Sequence, residues 1–327
     1  MRRVPAHDLA IIVISTNEKR WLGPCLSTVY AHAGTATLEV IVVDNRSTDG
    51  TREFVESTFP QARVITTPNG GFAYANNRGW ESADARYALF LNPDTEIVEG
   101  TFGELIDALD ARPEVGVAGV RHLTPQRQVY PSIRRFPSAA RTFGEALWSE
   151  RWPVHPSWSG ERVADLDLHH REVDCDWTVG AFMLARREAL LSAGVMDERF
   201  FLQSEEPDLC LRIKRAGWSV RHIPMMSIIH HAGKGGRKAR MAAQDTYARR
   251  QYAYKHFSAA HRALYLSAIG ARHALRAVGT GGSEDAQARR YASRSALQTL
   301  MHPSEPPFCH PPRAALWLGP PAGPEAR

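Results

Sequence analysis

A chain of 327 residues, 43% hydrophobic and 23% charged, carries one large domain or one domain with appendages, in the composition range of soluble globular proteins. No apolar run approaches the roughly 18 residues of a membrane-spanning helix, and four scattered cysteines without a C-x-x-C pair fit neither a disulfide framework nor a zinc site. The formal net charge of +5 is too small to argue for nucleic acid, but it suits anionic ligands or a membrane surface.

The opening Met1-Arg2-Arg3 resembles the start of a signal peptide. The apolar stretch Leu9–Ile14 is short and lacks a small-residue cleavage pattern, so it reads instead as a first strand buried on both faces, and the expected location is the cytoplasm. Residues 21–32 read as a helix, 38–44 as a second strand, and Ser47-Thr-Asp-Gly50 as a helix start with good capping chemistry. A third strand at 63–67, a helix at 71–83, a fourth strand at 87–92 and a helix at 101–111 follow. This alternation predicts an α/β fold with a parallel, doubly wound sheet flanked by helices. Residues 121–172 mix Pro, Trp and Arg irregularly and predict a long excursion. Order returns with a strand at 177–185, helices at 187–193 and 206–216, and a strand at 219–223. An Arg- and Ala-rich helical stretch spans 241–278, and one more helical candidate follows. The end after His302 holds eight prolines in its last 25 residues, which predicts disorder.

Four clusters carry chemistry. Asp44, in Val42-Val-Asp-Asn-Arg-Ser-Thr-Asp-Gly50, stands at the carboxyl end of a strand, where open α/β sheets bind ligands, whereas Asp49 reads as a helix cap. Asn92-Pro-Asp94 ends another strand. Asp94 there suits either a divalent cation site or an Asx-Pro turn. Glu205 and Glu206 are adjacent carboxylates flanked by Phe200, Phe201 and Leu202, with Asp208 two residues on. Helix-dipole complementation explains Asp208, but the acidic pair points to a shielded pocket holding a general base. His230 follows an apolar strand and suits a metal site. The glycines and cations after it (Lys234, Arg237, Lys238, Arg240) predict a mobile anion-binding loop.

These clusters, with Ser15-Thr16-Asn17, "PNGGFAYANNRG" at 68–79 and "DWTVGAFMLARRE" at 176–188, resemble the family-2 inverting glycosyltransferases of the GT-A fold over about residues 8–235. The Asn-Pro-Asp motif is most similar to the rhamnosyltransferase-type branch. The resemblance implies a GT-A domain over 1–235, with a nucleotide-sugar half at about 8–120 and an acceptor half at about 121–235. A helical extension at 236–301 and a tail at 302–327 would follow. It implies that Asp44 contacts the donor nucleoside beside Thr16 and Asn17, and that Asn69, Gly71, Asn77 and Asn92 line the donor pocket. Asp94 would bind a Mg²⁺ or Mn²⁺ that bridges the diphosphate, assisted by His230. Trp177, Gly180 and Asp208 would lie on the acceptor side. Glu206 aligns with the family's catalytic Asp, and Glu205 stands beside it. Two departures are plain: Glu for Asp at 206, and Gly70 for a common Leu.

The function so implied is metal-assisted, single-displacement transfer of a sugar from a nucleotide-diphosphate donor, dTDP-rhamnose first, to a lipid-linked or polysaccharide acceptor. A UDP- or GDP-sugar is the alternative donor. A non-catalytic nucleotide-sugar-binding protein is the rival from another class, and a base facing the acceptor discriminates against it. Residues 129–137 resemble transferases with lipid-linked acceptors in cell-wall assembly. The Arg-rich stretch at 237–276 reads either as a packed amphipathic helix or as peripheral contact with the inner face of the plasma membrane.

Overall fold

The computed structural model describes residues 5–147, 156, 158–231, 238–278, 284–302 and 307. The expected anion-binding loop through Lys234 and Arg237, with the Lys238 side chain, and almost all of the Pro-rich tail lie outside the described residues.

The first half follows the alternation of its apolar runs: β1 (His7–Ser15), α1 (Lys19–Ala31), β2 (Leu38–Asp44), α2 (Thr51–Thr58), β3 (Arg63–Thr66), α3 (Phe72–Glu81) and β4 (Ala85–Leu91). Then come β5 (Thr95–Glu99), α4 (Phe102–Asp110), β6 (Val115–Leu123), β7 (Val129–Tyr130), β8 (Ile133–Arg134) and α5 (Ala139–Leu147). A 3₁₀ turn at Leu166–His170 leads to β9 (Val173–Asp174), β10 (Trp177–Thr178), β11 (Phe182–Arg186), α6 (Arg187–Ala193), α7 (Glu205–Arg215) and β12 (Ser219–His230). Three helices end the described chain: α8 (Lys238–His256), α9 (Ala259–Ala277) and α10 (Glu284–Met301).

The main sheet runs β3-β2-β1-β4-β11-β6-β12-β5. Its pairs β1–β2, β1–β4, β2–β3 and β6–β12 are parallel. Strand β11 lies antiparallel between β4 and β6, and β5 is antiparallel to β12, so the sheet is mixed and mostly parallel. Alternation along β1 sends Leu9, Ile11 and Val13 into a core with α1, α2 and α4. Ile12 and Ile14 go to the opposite core with α3, α6 and α7. Both faces are covered, which is why β1 is apolar without a break.

Four departures from the sequence expectation have local causes. The single strand expected at 177–185 is split at Val179-Gly180-Ala181, where the Gly180 N–H turns to a side chain. Strand β12 continues past Pro224, where the residue lacking an N–H ended the expected strand; a register shift between His222 and Ser227 absorbs it. Strand β6 was hidden by its glycines, which are there for packing: a Cβ on Gly119 would sit 2.1 Å from Thr178 Oγ1, and one on Gly116 2.7 Å from Trp218 Cβ. The 241–278 stretch is two helices, separated where Ser258 caps α9 by accepting from the His261 N–H. Helices α8 and α9 each pack on α10, and α5 packs on α9. Phe200 of the loop before α7 is buried against Ala248 and Tyr252 of α8.

Candidate active site

The carboxyl ends of β1, β2 and β4 lie side by side because those strands are parallel neighbours, and the polar residues at their ends share one sheet edge. Asp44 is buried, and its Oδ1 accepts from the Ser47 N–H at 2.8 Å. Asn17 takes a left-handed conformation (φ 59°), and its Oδ1 accepts from the Thr48 N–H at 2.7 Å. Asn45, which the sequence did not single out, ties the edge together. Its Nδ2 donates to Thr16 Oγ1 at 3.3 Å and to Asn69 Oδ1 at 3.0 Å, and Asn69 Oδ1 also accepts from the Gly71 N–H. Asp49 is not the N-cap of α2, a place Gly50 takes without a side-chain bond; its carboxylate accepts from the Thr51 and Lys19 N–H groups and so ties the starts of α2 and α1 together.

Gly71 (φ 90°) brings this edge against the loop before α7. A Cβ there would lie 2.1 Å from the Phe201 carbonyl oxygen, which instead accepts from the Phe72 N–H at 2.7 Å. Asn77 corrects the expectation that it lines the donor pocket. Its Nδ2 donates to Met196 O and Glu198 Oε1, so its side chain fastens α3 to residues 196–198. Gly70 leaves room for Tyr74, whose ring a Cβ would meet at 2.3 Å.

Across the edge, the β5–β12 pairing sets Thr95 opposite His230. That register brings His230 Nε2 to 3.3 Å from Asp94 Oδ1 and 3.5 Å from Asn92 Nδ2. His231 bonds Glu96 at 2.6 Å and stacks on Trp21. Among the described residues no group of three or more His, Cys, Asp or Glu gathers as a protein-only cage. Asp94 and His230 fit a divalent cation of the kind held by one or two side chains and completed by substrate oxygens and water.

The acidic pair enters from α7. Gln203 and Ser204 both have positive φ (74° and 70°), a conformation that costs about 1–2 kcal/mol at each non-Gly residue, and the strain sits directly before the carboxylates. Glu205 is almost fully buried and its Oε2 has no hydrogen-bond partner. Burial, then the neighbouring Glu206, pushes its proton affinity well above the ordinary carboxylate range. Glu206 is half-buried and its Oε1 accepts from the Gly180 N–H at 3.2 Å. Burial raises its pKa too, opposed by backbone N–H groups and by the Arg134 cation. Gly180 is the residue that allows this approach, since a Cβ would stand 2.6 Å from Glu206 Oε1. Trp177 is fixed by its Nε1–H donating to Arg135 O.

Asp208 requires a second correction. Rather than facing an acceptor, it is fully buried toward α8. His256 Nε2 and Lys255 Nζ each lie 2.6 Å from Oδ1, and Arg212 Nε lies 2.9 Å from Oδ2.

One cavity of about 320 Å³ joins these parts, with Asn92, His230, Trp177, Gly180, Glu205 and Glu206 on its wall. Tyr130 and Arg134 from the excursion, Glu161, and Asp245 and Arg249 of α8 complete it. The sequence offered one faint signal for the last two: an Asp and an Arg four residues apart in a helix, the spacing of a local ion pair. Asp44 and Asp94 are not on the cavity wall. Asp94 stands in contact with His230, and Asp44 lies further along the same strand-end edge.

Strand-end polar groups opposite an acidic helix N-terminus, on a mostly parallel sheet, define a GT-A glycosyltransferase. The fold superposes on the mannosyltransferase PcManGT from Pyrobaculum calidifontis, determined in complex with GDP-Man and Mn²⁺, with a TM-score of 0.53 and 18% identity, covering 95% of this chain and 87% of that one. The profile of glycosyl transferase family 2 matches residues 10–159. The chain is 31% identical over 259 residues to N-acetylglucosaminyl-diphospho-decaprenol L-rhamnosyltransferase of Mycobacterium tuberculosis, covering 75% of this chain and 80% of the relative. It is 23% identical over 233 residues to rhamnosyltransferase WbbL of Escherichia coli K12, covering 68% and 83%. The chain belongs to glycosyl transferase family 2.

Proposed function

We propose that the enzyme transfers a sugar, rhamnose from dTDP-rhamnose in the first instance, to a hydroxyl of a lipid-linked or polysaccharide acceptor by one inverting displacement. The observation that carries this reading is that Glu206 and His230 line a single cavity, with Asp94 behind His230 at 3.3 Å from its Nε2. Glu206 takes the proton of the acceptor hydroxyl. Its raised proton affinity makes it a stronger base than an exposed carboxylate, while the Gly180 N–H aims the oxygen. Glu205 is pushed further toward its neutral form, by burial and by Glu206 itself, which limits the negative charge beside the base. The hydroxyl attacks the anomeric carbon opposite the diphosphate, through a transition state with oxocarbenium character as in glycoside hydrolysis.

Asp94 and His230 hold the diphosphate end, with Asn92 beside them. A Mg²⁺ or Mn²⁺ bound there would offset the charge that develops on the leaving group. Asp44, Thr16, Asn17 and Asn69 form the nucleoside edge, held by Asn45. In this reading residues 1–235 are the transferase domain and 236–301 an extension that closes the cavity with Asp245 and Arg249. Among the described residues no helix is long and apolar enough to cross a membrane, and the reading includes peripheral contact with the inner face of the plasma membrane.

The two rhamnosyltransferase relatives support the choice of donor. A panel of dTDP-, UDP- and GDP-sugars, scored for hydrolysis and transfer with Mg²⁺ or Mn²⁺, tests it. Turnover of a UDP- or GDP-sugar alone replaces rhamnose, and failure to turn over any nucleotide sugar overturns the reading.

A further inference from the structure

One wall of the cavity carries a charge network that the displacement itself leaves unused. Arg249 of α8 donates from Nε to both oxygens of Asp245 at 2.9 Å, and from Nη1 to Glu161 Oε1 and Tyr265 Oη. Arg272 of α9 joins Asp245 Oδ2, at 3.5 Å, to Glu145 Oε2 of α5, at 3.0 Å. The Glu161 N–H donates to Glu145 Oε1, so the backbone of Glu161 is held as well. Glu161, Asp245 and Arg249 line the cavity, with Arg272 and Glu145 set behind them.

Two atoms of this network are left over. Among the described residues Glu161 Oε2 and Arg249 Nη2 have no hydrogen-bond partner, and neither is sealed from the cavity. They flank one ion pair, because Nη1 and Oε1 already hold each other. An accepting oxygen and a donating nitrogen side by side complement two adjacent sugar hydroxyls, each of which both donates and accepts. Burial draws the Glu161 carboxyl toward its neutral form against the charge of Arg249, and in either form Oε2 bonds a hydroxyl. Tyr130 and Trp177, on the same cavity, offer aromatic faces to the C–H surface of a sugar ring. This wall comes from the excursion and the helical extension, not from the strand-end edge assigned to the donor, so the sugar that meets it is the acceptor.

We propose that Glu161 and Arg249 bind adjacent hydroxyls of the acceptor sugar and so determine which sugar is accepted, with Arg272 and Glu145 as positioning residues. This rests on the transferase reading of the same cavity. It is tested on the full chain with alkyl hexosides and their monodeoxy analogues as acceptors. Removing a hydroxyl remote from the reacting one should lower the wild-type kcat/KM by about 10- to 100-fold, through KM, the range for a lost hydrogen bond to a charged group. Arg249→Lys keeps the charge and loses Nη2, and Glu161→Met loses Oε2. In both, the deoxy penalty should largely disappear, because the bond it reports is already gone. Arg272→Lys should lower the melting temperature and leave the penalty in place.

An undiminished deoxy penalty in Arg249→Lys and Glu161→Met would overturn the proposal, leaving the network a brace for the wall. A penalty found only with deoxy donor sugars would overturn it in favour of the donor. Saturation-transfer NMR of the alkyl hexosides, with the donor site filled by nucleoside diphosphate, needs no turnover. Binding that depends on Arg249 and Glu161 in a protein that transfers nothing would keep this inference and sink the transferase reading. Transfer with equal acceptor affinity in wild type and both variants would do the reverse, and a wild type that binds no hexoside also overturns the inference.

Discussion

Glu205 and Glu206 are chemically identical neighbours divided by their surroundings. Glu206 faces the cavity and accepts from the Gly180 N–H, whereas Glu205 is almost fully buried with its Oε2 unpartnered, so burial raises the proton affinity of Glu205 the further of the two. Glu206→Gln should lower kcat by roughly 10² to 10⁴, the range for a general base, with donor affinity retained in a calorimetric titration. Because burial raises the Glu206 pKa, activity should rise with pH through that value. Stability should move the opposite way. A carboxyl whose folded pKa lies above its unfolded value stabilises fully below the ordinary range, and that contribution is lost as pH climbs through the folded value. Melting temperatures across pH should therefore fall on the alkaline side in the wild type and flatten in Glu205→Gln. At this scale strand-end residues were readable from the sequence because a strand's carboxyl end fixes their position. Asn77 was not, because its acceptors, Met196 O and Glu198, lie about 120 residues away in the chain.

Helices α7 and α8 are joined by a buried electrostatic lock. Asp208 meets Lys255, His256 and Arg212, and Lys255 also reaches Asp197 Oδ2 at 2.6 Å. Gln244 of α8 donates to Leu202 O, so the same helix steadies the loop that leads to Glu205 and Glu206. Asp208→Ala takes from Arg212 its carboxylate and from Lys255 one of two, and should cost about 3–5 kcal/mol of stability, read from urea unfolding. Against the opposing effect of burial, the Asp208 pKa is held down by the His256 hydrogen bond and the Arg212 and Lys255 charges, and the Asp197 pKa by hydrogen bonds from Arg199 and Lys255. Their contribution is present above the ordinary carboxylate range and is lost as pH falls through the depressed values. The helix bearing Asp208 was legible from its Pro207 and its apolar spacing. The direction of Asp208 was not, since periodicity assigns a residue to a face and says nothing of what covers that face. The same limit hid β6, whose glycines look like loop residues until Thr178 and Trp218 are seen against them.

In the whole molecule, the parallel core followed from uninterrupted apolar strands, whereas the closure of the cavity did not. Its far wall is built from an irregular excursion and from α8, segments joined only through tertiary contacts such as the Arg249–Glu161 pair. Chelation should abolish turnover, and Asp94→Ala should remove the metal-dependent part of donor affinity. Donor titrations with and without Mn²⁺ check this, and equal affinity in mutant and wild type would take Asp94 out of the metal site.

The turn between β10 and β11 has a further consequence. Gly180 presents its N–H to Glu206, and the next residue, Ala181, offers its carbonyl to the Asn92 N–H at 3.2 Å. Glu206 and Asn92 are thereby spaced through neighbouring peptide groups, whose lengths are covalently fixed. If the proposed roles hold, the far wall can be rebuilt for acceptors of different bulk while the span between bond making and bond breaking stays constant.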